Sequence, residues 1–146
     1  MTLIVNKDAL DEMIDHAEAT FPCECVGFFY GVEDESKREV LVAREVKNAQ
    51  KGDQRRRFEV DPHDYLYAER FAEKNGLKLL GIYHSHPNHP ARPSSHDLKQ
   101  AVPYFSYIIL SIMNGKIADT TSWQLNLDTD QFEEEKIEIK QFDKVD

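Results

Sequence analysis

Tyr83-His84-Ser85-His86-Pro87, followed by Asp97 with ten residues between it and His86, sets two imidazoles and a carboxylate at a spacing that suits one metal ion. The apolar stretch Leu77 to Tyr83 reads as a strand running into His84. Alternate residues of a strand share a face, so His84 and His86 converge while Ser85 points away. Pro87 lacks an N–H and is expected to end the pairing. Asp97 falls in the first turn of a short helix that starts at Ser94 or Ser95. Two His and one acid leave a tetrahedral zinc with one open position, the arrangement of a catalytic rather than a structural site. His96 adjoins Asp97 on the helix and is expected to point elsewhere. His89, in the loop stiffened by Pro87, Pro90 and Pro93, is the spare imidazole able to replace a ligand.

Hydrolysis at such a site needs a proton acceptor near the attacking water. Glu24, at the start of a buried-looking strand, is the candidate, since an acid there is costly without a partner; a solvated acid at a helix-to-strand turn is the alternative. Ser94 has two readings as well. It either caps the helix, with Asp97 in the first turn, or leaves capping to Ser95 and points at the substrate carbonyl. One decoy is set aside. His16-Ala17-Glu18 and Pro22-Cys23-Glu24-Cys25 superficially match the H-x-E…P-C-x-x-C pattern of zinc deaminases. The second half is Cys-x-Cys, and only three residues separate the halves.

The elements that must position these groups follow from periodicity and breakers. Leu3 to Val5 is a short strand, and Asn6 caps a helix from Lys7 to about Ala19 with Leu10, Met13, Ile14 and Ala17 on one face. Cys25 to Gly31 is a nearly continuous apolar run and so a central strand. Val40 to Val46 alternates as a third strand. A polar loop, Asn48 to Arg57, leads to a short strand at Phe58 to Val60. Asp61-Pro62 opens a second helix that buries Tyr65, Leu66, Ala68 and Phe71 or their neighbours, and Asn75-Gly76 ends it. Tyr107 to Ser111 is another buried strand, with outer strands at Ile117 to Thr120, Ser122 to Leu127 and Glu135 to Ile139. Strands mixed with three helices predict an α/β sandwich with a mixed sheet.

The 146 residues suit one domain with one core. A net charge of −9 argues against nucleic acid as a partner, because phosphate contacts need clustered Lys and Arg and the run Arg55-Arg56-Arg57 is too small to supply them. No apolar run approaches the ~18 residues of a membrane span. The first residues lack the cationic start and apolar centre of a signal peptide. Cys23 and Cys25, one residue apart, do not readily bridge and point to a reducing compartment, hence the cytoplasm.

His84-Ser85-His86-Pro87 with Pro93-Ser94-Ser95-His96-Asp97 resembles the JAMM (MPN-plus) metalloprotease signature, H-[ST]-H-P-x6-S-x2-D; six residues, Asn88 to Pro93, separate Pro87 from Ser94 as that pattern requires. Pro22 to Gly31 is similar to the segment around that family's catalytic glutamate. Phe58 to Pro62 and Gly81-Ile82-Tyr83 resemble its connecting stretches, so the likeness runs from about Glu24 to Trp123. It implies His84, His86 and Asp97 as ligands of one Zn2+, Glu24 as general base and later acid, and Ser94 as an oxyanion donor. It also implies a three-layer sandwich with a mixed β-sheet flanked by helices, similar to cytidine deaminases, in a single domain over residues 1–146. The reaction implied is hydrolysis of an amide or isopeptide bond after the C-terminal Gly-Gly of ubiquitin or a ubiquitin-like protein. The short chain resembles stand-alone prokaryotic members, which implies a small sulfur carrier of the ThiS/MoaD kind as substrate. Its extended tail is expected to pair with a strand edge beside the site. A non-catalytic MPN-type scaffold and a zinc amidase on a small metabolite are the competing readings. The Asn48 to Arg57 loop is either a flap that orders over substrate, its arginines meeting acidic groups, or a solvated turn.

Overall fold

Asn6 does two jobs at one point in the chain. It closes strand β1 (Thr2–Asn6) and caps helix α1 (Lys7–Thr20), its Oδ1 accepting the Asp8 N–H at 2.9 Å. The computed structural model describes residues 2–141. The remaining elements are β2 (Val26–Glu33), β3 (Arg38–Val46), α2 (Pro62–Lys74), β4 (Lys78–Pro87), α3 (Ser95–Lys99), β5 (Ser106–Met113), β6 (Lys116–Asn126) and β7 (Gln131–Lys140).

The mixed sheet with helices is present, but the sheet closes on itself and is not clearly the layer of a three-layer sandwich. The strands run β1-β3-β2-β4-β5-β6-β7, and β7 returns to pair in parallel with β1, closing a barrel-like sheet. The closure has a packing cause. One apolar cluster takes residues from all seven strands, including Leu3, Phe29, Val40, Leu80, Ile108, Ile117 and Ile137, and wraps them around Leu10, Met13 and Ala17 of α1. A second cluster sets Val26, Phe28, Tyr30, Ile82 and Tyr107 against Ala68 and Ala72 of α2. Ala68 and Ala72 are the buried residues of α2, Tyr65 and Phe71 pack on Phe28 and Tyr30 as expected, and Leu66 is exposed.

Several expected boundaries shift. Phe58 to Val60 is irregular backbone rather than a strand, although Phe58 is buried. The two outer strands predicted around residues 117–127 are one strand, β6, bent by a register shift opposite Ser111 and Ile112. Pro87 ends β4 as expected: it is the last residue of that strand, in register with Ile112 of β5.

The end of β4 bears on the site. β2 covers β4 only as far as the pair Val26↔His84, while β5 continues alongside to Pro87. Beyond His84, one flank of β4 is therefore free of β2, and the missing N–H of Pro87 costs that flank no ladder bond. Gly81 keeps β4 tight between its neighbours: a Cβ there would meet the Ser106 carbonyl oxygen at 1.8 Å and the Phe29 ring at 2.5 Å. Gly81→Ala is expected to destabilise the fold by about 3 kcal/mol or more, since backbone rather than a movable side chain must give way. Urea denaturation measures it, and an unchanged midpoint would show that β5 shifts freely.

Candidate metal centre

His84 and His86 share a face of β4 with Ile82, and their Nε2 atoms lie 3.1 Å apart. Asp97 reaches both, with Oδ1 3.3 Å from His84 Nε2 and Oδ2 3.1 Å from His86 Nε2. A tetrahedral ion with bonds of about 2.0–2.1 Å has ligand–ligand edges of roughly 3.3 Å, so these three groups fit one face of such a polyhedron. All three are buried, at 1%, 8% and 4% exposure.

Each side chain is aimed by a local cause. His86 Nδ1–H donates to the Pro90 carbonyl at 2.9 Å, which leaves the Nε2 lone pair facing the cluster. His84 is held differently: its ring lies against Phe58, centroids 4.5 Å apart, and its Nδ1 is buried with no hydrogen-bond partner among the described residues. Asp97 is fixed by a capping box. Ser94 Oγ accepts the Asp97 N–H at 3.1 Å, and the Ser94 N–H donates to Asp97 Oδ2 at 2.8 Å. Ser94, not Ser95, is thus the cap. A hydroxyl has one proton and two lone pairs, so accepting the Asp97 N–H leaves the Ser94 O–H free to donate, and the two readings of Ser94 are compatible.

Glu24 arrives through sheet register. Extending the antiparallel pairing Val26↔His84 by two residues sets Glu24 opposite His86. The intervening pair keeps one ladder bond, Ser85 N–H to the Cys25 carbonyl at 3.3 Å, while the Cys25 N–H donates to Ser85 Oγ at 2.8 Å. Ligand atoms of Glu24, His84 and His86 all lie within 4.8 Å of one another. The solvated-turn reading of Glu24 fails, because the residue is only 5% exposed. Glu24 is within reach of an ion, yet Asp97 makes the closer approaches to both imidazoles and has its carboxylate held by the cap.

Protonation follows burial and charge. Burial pushes the Glu24 carboxyl up to about 8, against the pull of His86 and with help from the Asp97 charge. Burial lowers His84 despite Asp97, which keeps the imidazole neutral as a ligand must be. His86 is raised, since its hydrogen bond to Asp97 and that residue's charge outweigh burial. Burial alone would raise Asp97, but the imidazoles and the Ser94 N–H overcome it and hold the carboxyl well below its usual range.

The cluster opens into a cleft of about 510 Å³ whose lining includes Glu24, His86 and Ser94, with Arg56, His89 and Arg92. His89 lies along this cleft and is not one of the convergent groups. His96 faces the Phe58 carbonyl, Nε2 to O 3.1 Å, as its helix position predicts. Three residues with clear work here escaped the sequence reading: Ser85, Phe58 and Asn48. For Ser85 the signal was present, since a small hydroxyl residue pointing away from two converging histidines has the neighbouring strand to bond. Nothing local marks the other two.

The family described as prokaryotic homologs of the JAB domain matches residues 6–126, which contain every group of the cluster. The chain belongs to this family. Two relatives of this JAB chain carry functional names. A probable TtuB-protein conjugate cleaving protease of Thermus thermophilus is 36% identical over 107 residues, spanning 71% of this chain and 68% of the relative. A desampylase of Haloferax volcanii is 32% identical over 114 residues, 75% of this chain and 80% of the relative. Among solved structures, a solution structure of a Desulfitobacterium hafniense protein is 33% identical, with a TM-score of 0.84 over 97% of this chain and 94% of that one. No helix of this JAB domain, among the described residues, is long and apolar enough to cross a membrane.

Proposed function

We propose that this chain is a single-domain zinc metallopeptidase that hydrolyses the amide or isopeptide bond following the C-terminal Gly-Gly of a ubiquitin-like protein, including carriers of the ThiS/MoaD kind. The observation that carries the reading is a buried acid, Glu24, brought opposite His86 and within 4.8 Å of both imidazoles at the end of an open cleft. A scaffold has no need for that convergence. The names of the two relatives, both similar over more than two thirds of their lengths, support conjugate cleavage as the reaction.

His84, His86 and Asp97 would hold the ion, their donor set of two nitrogens and one oxygen being that of catalytic zinc. Bound there, zinc supplies positive charge and brings the pKa of water down to about 7. Glu24 takes the proton of the attacking water and passes it to the departing amine. A general base that later acts as an acid works best with a pKa near the operating pH, and burial raises that of Glu24 in the metal-free chain. Ser94 donates its free O–H to the carbonyl oxygen as negative charge develops. Glycine residues before the scissile bond let the substrate backbone come close to the buried cluster.

Incubation with ubiquitin-like carriers amide-linked through their terminal Gly-Gly tests the proposal. Chelator-sensitive release of the carrier supports it. No release from any of several carriers, alongside turnover of short acyl amides, would replace it with the small-substrate amidase. Ser94→Ala is expected to lower kcat by about 10²–10³-fold, whereas losing the cap costs only about 1 kcal/mol of stability. Measuring kcat and Tm together separates the two: a lower Tm with unchanged kcat would leave Ser94 as a cap alone.

A further inference from the structure

Glu24 keeps the register of β2 but lies two residues before that strand begins at Val26, and its own N–H and carbonyl bond to the loop rather than to β4. We propose that Asn48 is a positioning residue for Glu24, its side-chain amide locking the Glu24 backbone and the Arg55 to Arg57 loop into one unit. The inference rests on the reading of Glu24 as the proton carrier.

Asn48 Nδ2 donates to the carbonyl of Glu24 at 3.2 Å and to that of Arg57 at 3.1 Å. Its Oδ1 accepts the N–H of Gln50 at 2.9 Å and of Glu59 at 3.1 Å. Both donors and both acceptor sites of the amide are used. Asn and Gln are the two side chains that offer this set, and Gln is longer by one methylene. Asp would keep the acceptors while turning a negative charge toward two carbonyl oxygens. The same loop holds Glu24 from its other side: the Glu24 N–H donates to the Gln54 carbonyl at 2.7 Å. Gln54 Nε2 in turn donates to the carbonyls of Asn48 at 3.2 Å and Gln50 at 2.8 Å.

Glu24 is therefore bound through both its peptide groups to a loop that also brings Arg56 to the cleft. This makes the loop neither a free flap nor an idle solvated turn. A base must stay within hydrogen-bond reach of the proton it removes. Loosening this loop moves the carboxyl without touching the metal ligands, so the chemical step suffers while substrate and ion still bind.

The test uses the full chain loaded with zinc and a carrier–amide conjugate as substrate, comparing Asn48→Asp and Gln54→Ala with Glu24→Gln as control. Asn48→Asp is expected to lower kcat by about 10–10²-fold, the scale of a misplacement near 1 Å, with KM and zinc per chain unchanged. Amide hydrogen exchange followed by NMR should quicken at Glu24 and stay slow at Phe28 in β2. Gln54→Ala should show the same pattern more weakly, and it carries the test should Asn48→Asp not fold. An unchanged kcat with faster Glu24 exchange overturns the inference. So does a kcat loss that tracks lost zinc or lost Phe28 protection, which would mark Asn48 as merely structural. Full activity in Glu24→Gln would instead sink the proton-carrier reading itself, whereas an inactive Glu24→Gln beside an unaffected Asn48→Asp defeats only this inference.

Discussion

Glu24→Gln is expected to cut kcat by about 10²–10⁴-fold, the usual worth of a general acid–base, while zinc content stays at one ion per chain. Gln keeps the shape and burial of Glu but neither accepts nor returns a proton. The same variant should make the metal-free protein more stable, because the wild type holds a buried carboxyl whose proton affinity is raised to about 8. The direction with pH is fixed. Below the ordinary value of 4.5, Glu24 is protonated whether the chain is folded or not, so it costs nothing. Between 4.5 and about 8 the unfolded chain ionises while the folded one resists, so stability drains away as pH rises and is fully lost above about 8. The Tm advantage of Glu24→Gln in chelator should thus be negligible at pH 4, grow to pH 8 and then level off. A Tm difference independent of pH would mean that Glu24 is not the buried acid described here. Greater stability with lost activity is the expected trade at a site built for chemistry.

Metal removal should have the other large effect. Chelation is expected to bring cleavage down to the uncatalysed level, and stoichiometric zinc to restore it. Zinc should also raise Tm, since a ligand that binds only the folded chain adds about 4 kcal/mol at a thousand times its Kd. Asp97→Ala tests the source of that stabilisation. Asp97 accepts from the Ser94 N–H and approaches both imidazoles, so its loss removes a candidate ligand and half of the capping box together. The variant should be inactive, should show no Tm response to zinc, and should not be rescued by added metal. A zinc-dependent Tm shift retained in Asp97→Ala would assign the third ligand position to Glu24, which also lies within reach of the imidazoles.

The basic loop shows how far local reading goes. From composition alone, Asn48 to Arg57 reads as a flap that orders over substrate or as a solvated turn, and neither reading ties it to Glu24. Its bonds to the Glu24 backbone depend on residues 24 and 48 meeting across the sheet, a contact with no local signature. Phe58 teaches the same lesson: Phe58-Glu59-Val60 reads as a short strand, yet the backbone there is irregular and the Phe58 ring is spent on His84.

By itself the sequence determined which donor atoms are available and that two of them share a strand face. His84 and His86 are two residues apart, and the alternation of side chains along a strand is a property of the backbone. It also determined the helix starts at Asn6 and Asp61 and narrowed the third to Ser94 or Ser95, because capping is settled within three or four residues. Tertiary structure decided the rest: that Glu24 stands opposite His86, that Ser85 ties the two strands, and that β7 closes on β1 rather than leaving the sheet open. Register and closure are set by the packing of whole strands around α1 and α2, and a shift of one residue would turn every side chain of a strand to its other face. Such long-range choices are made by the assembled core, where residues some sixty positions apart in the chain compete for the same neighbours.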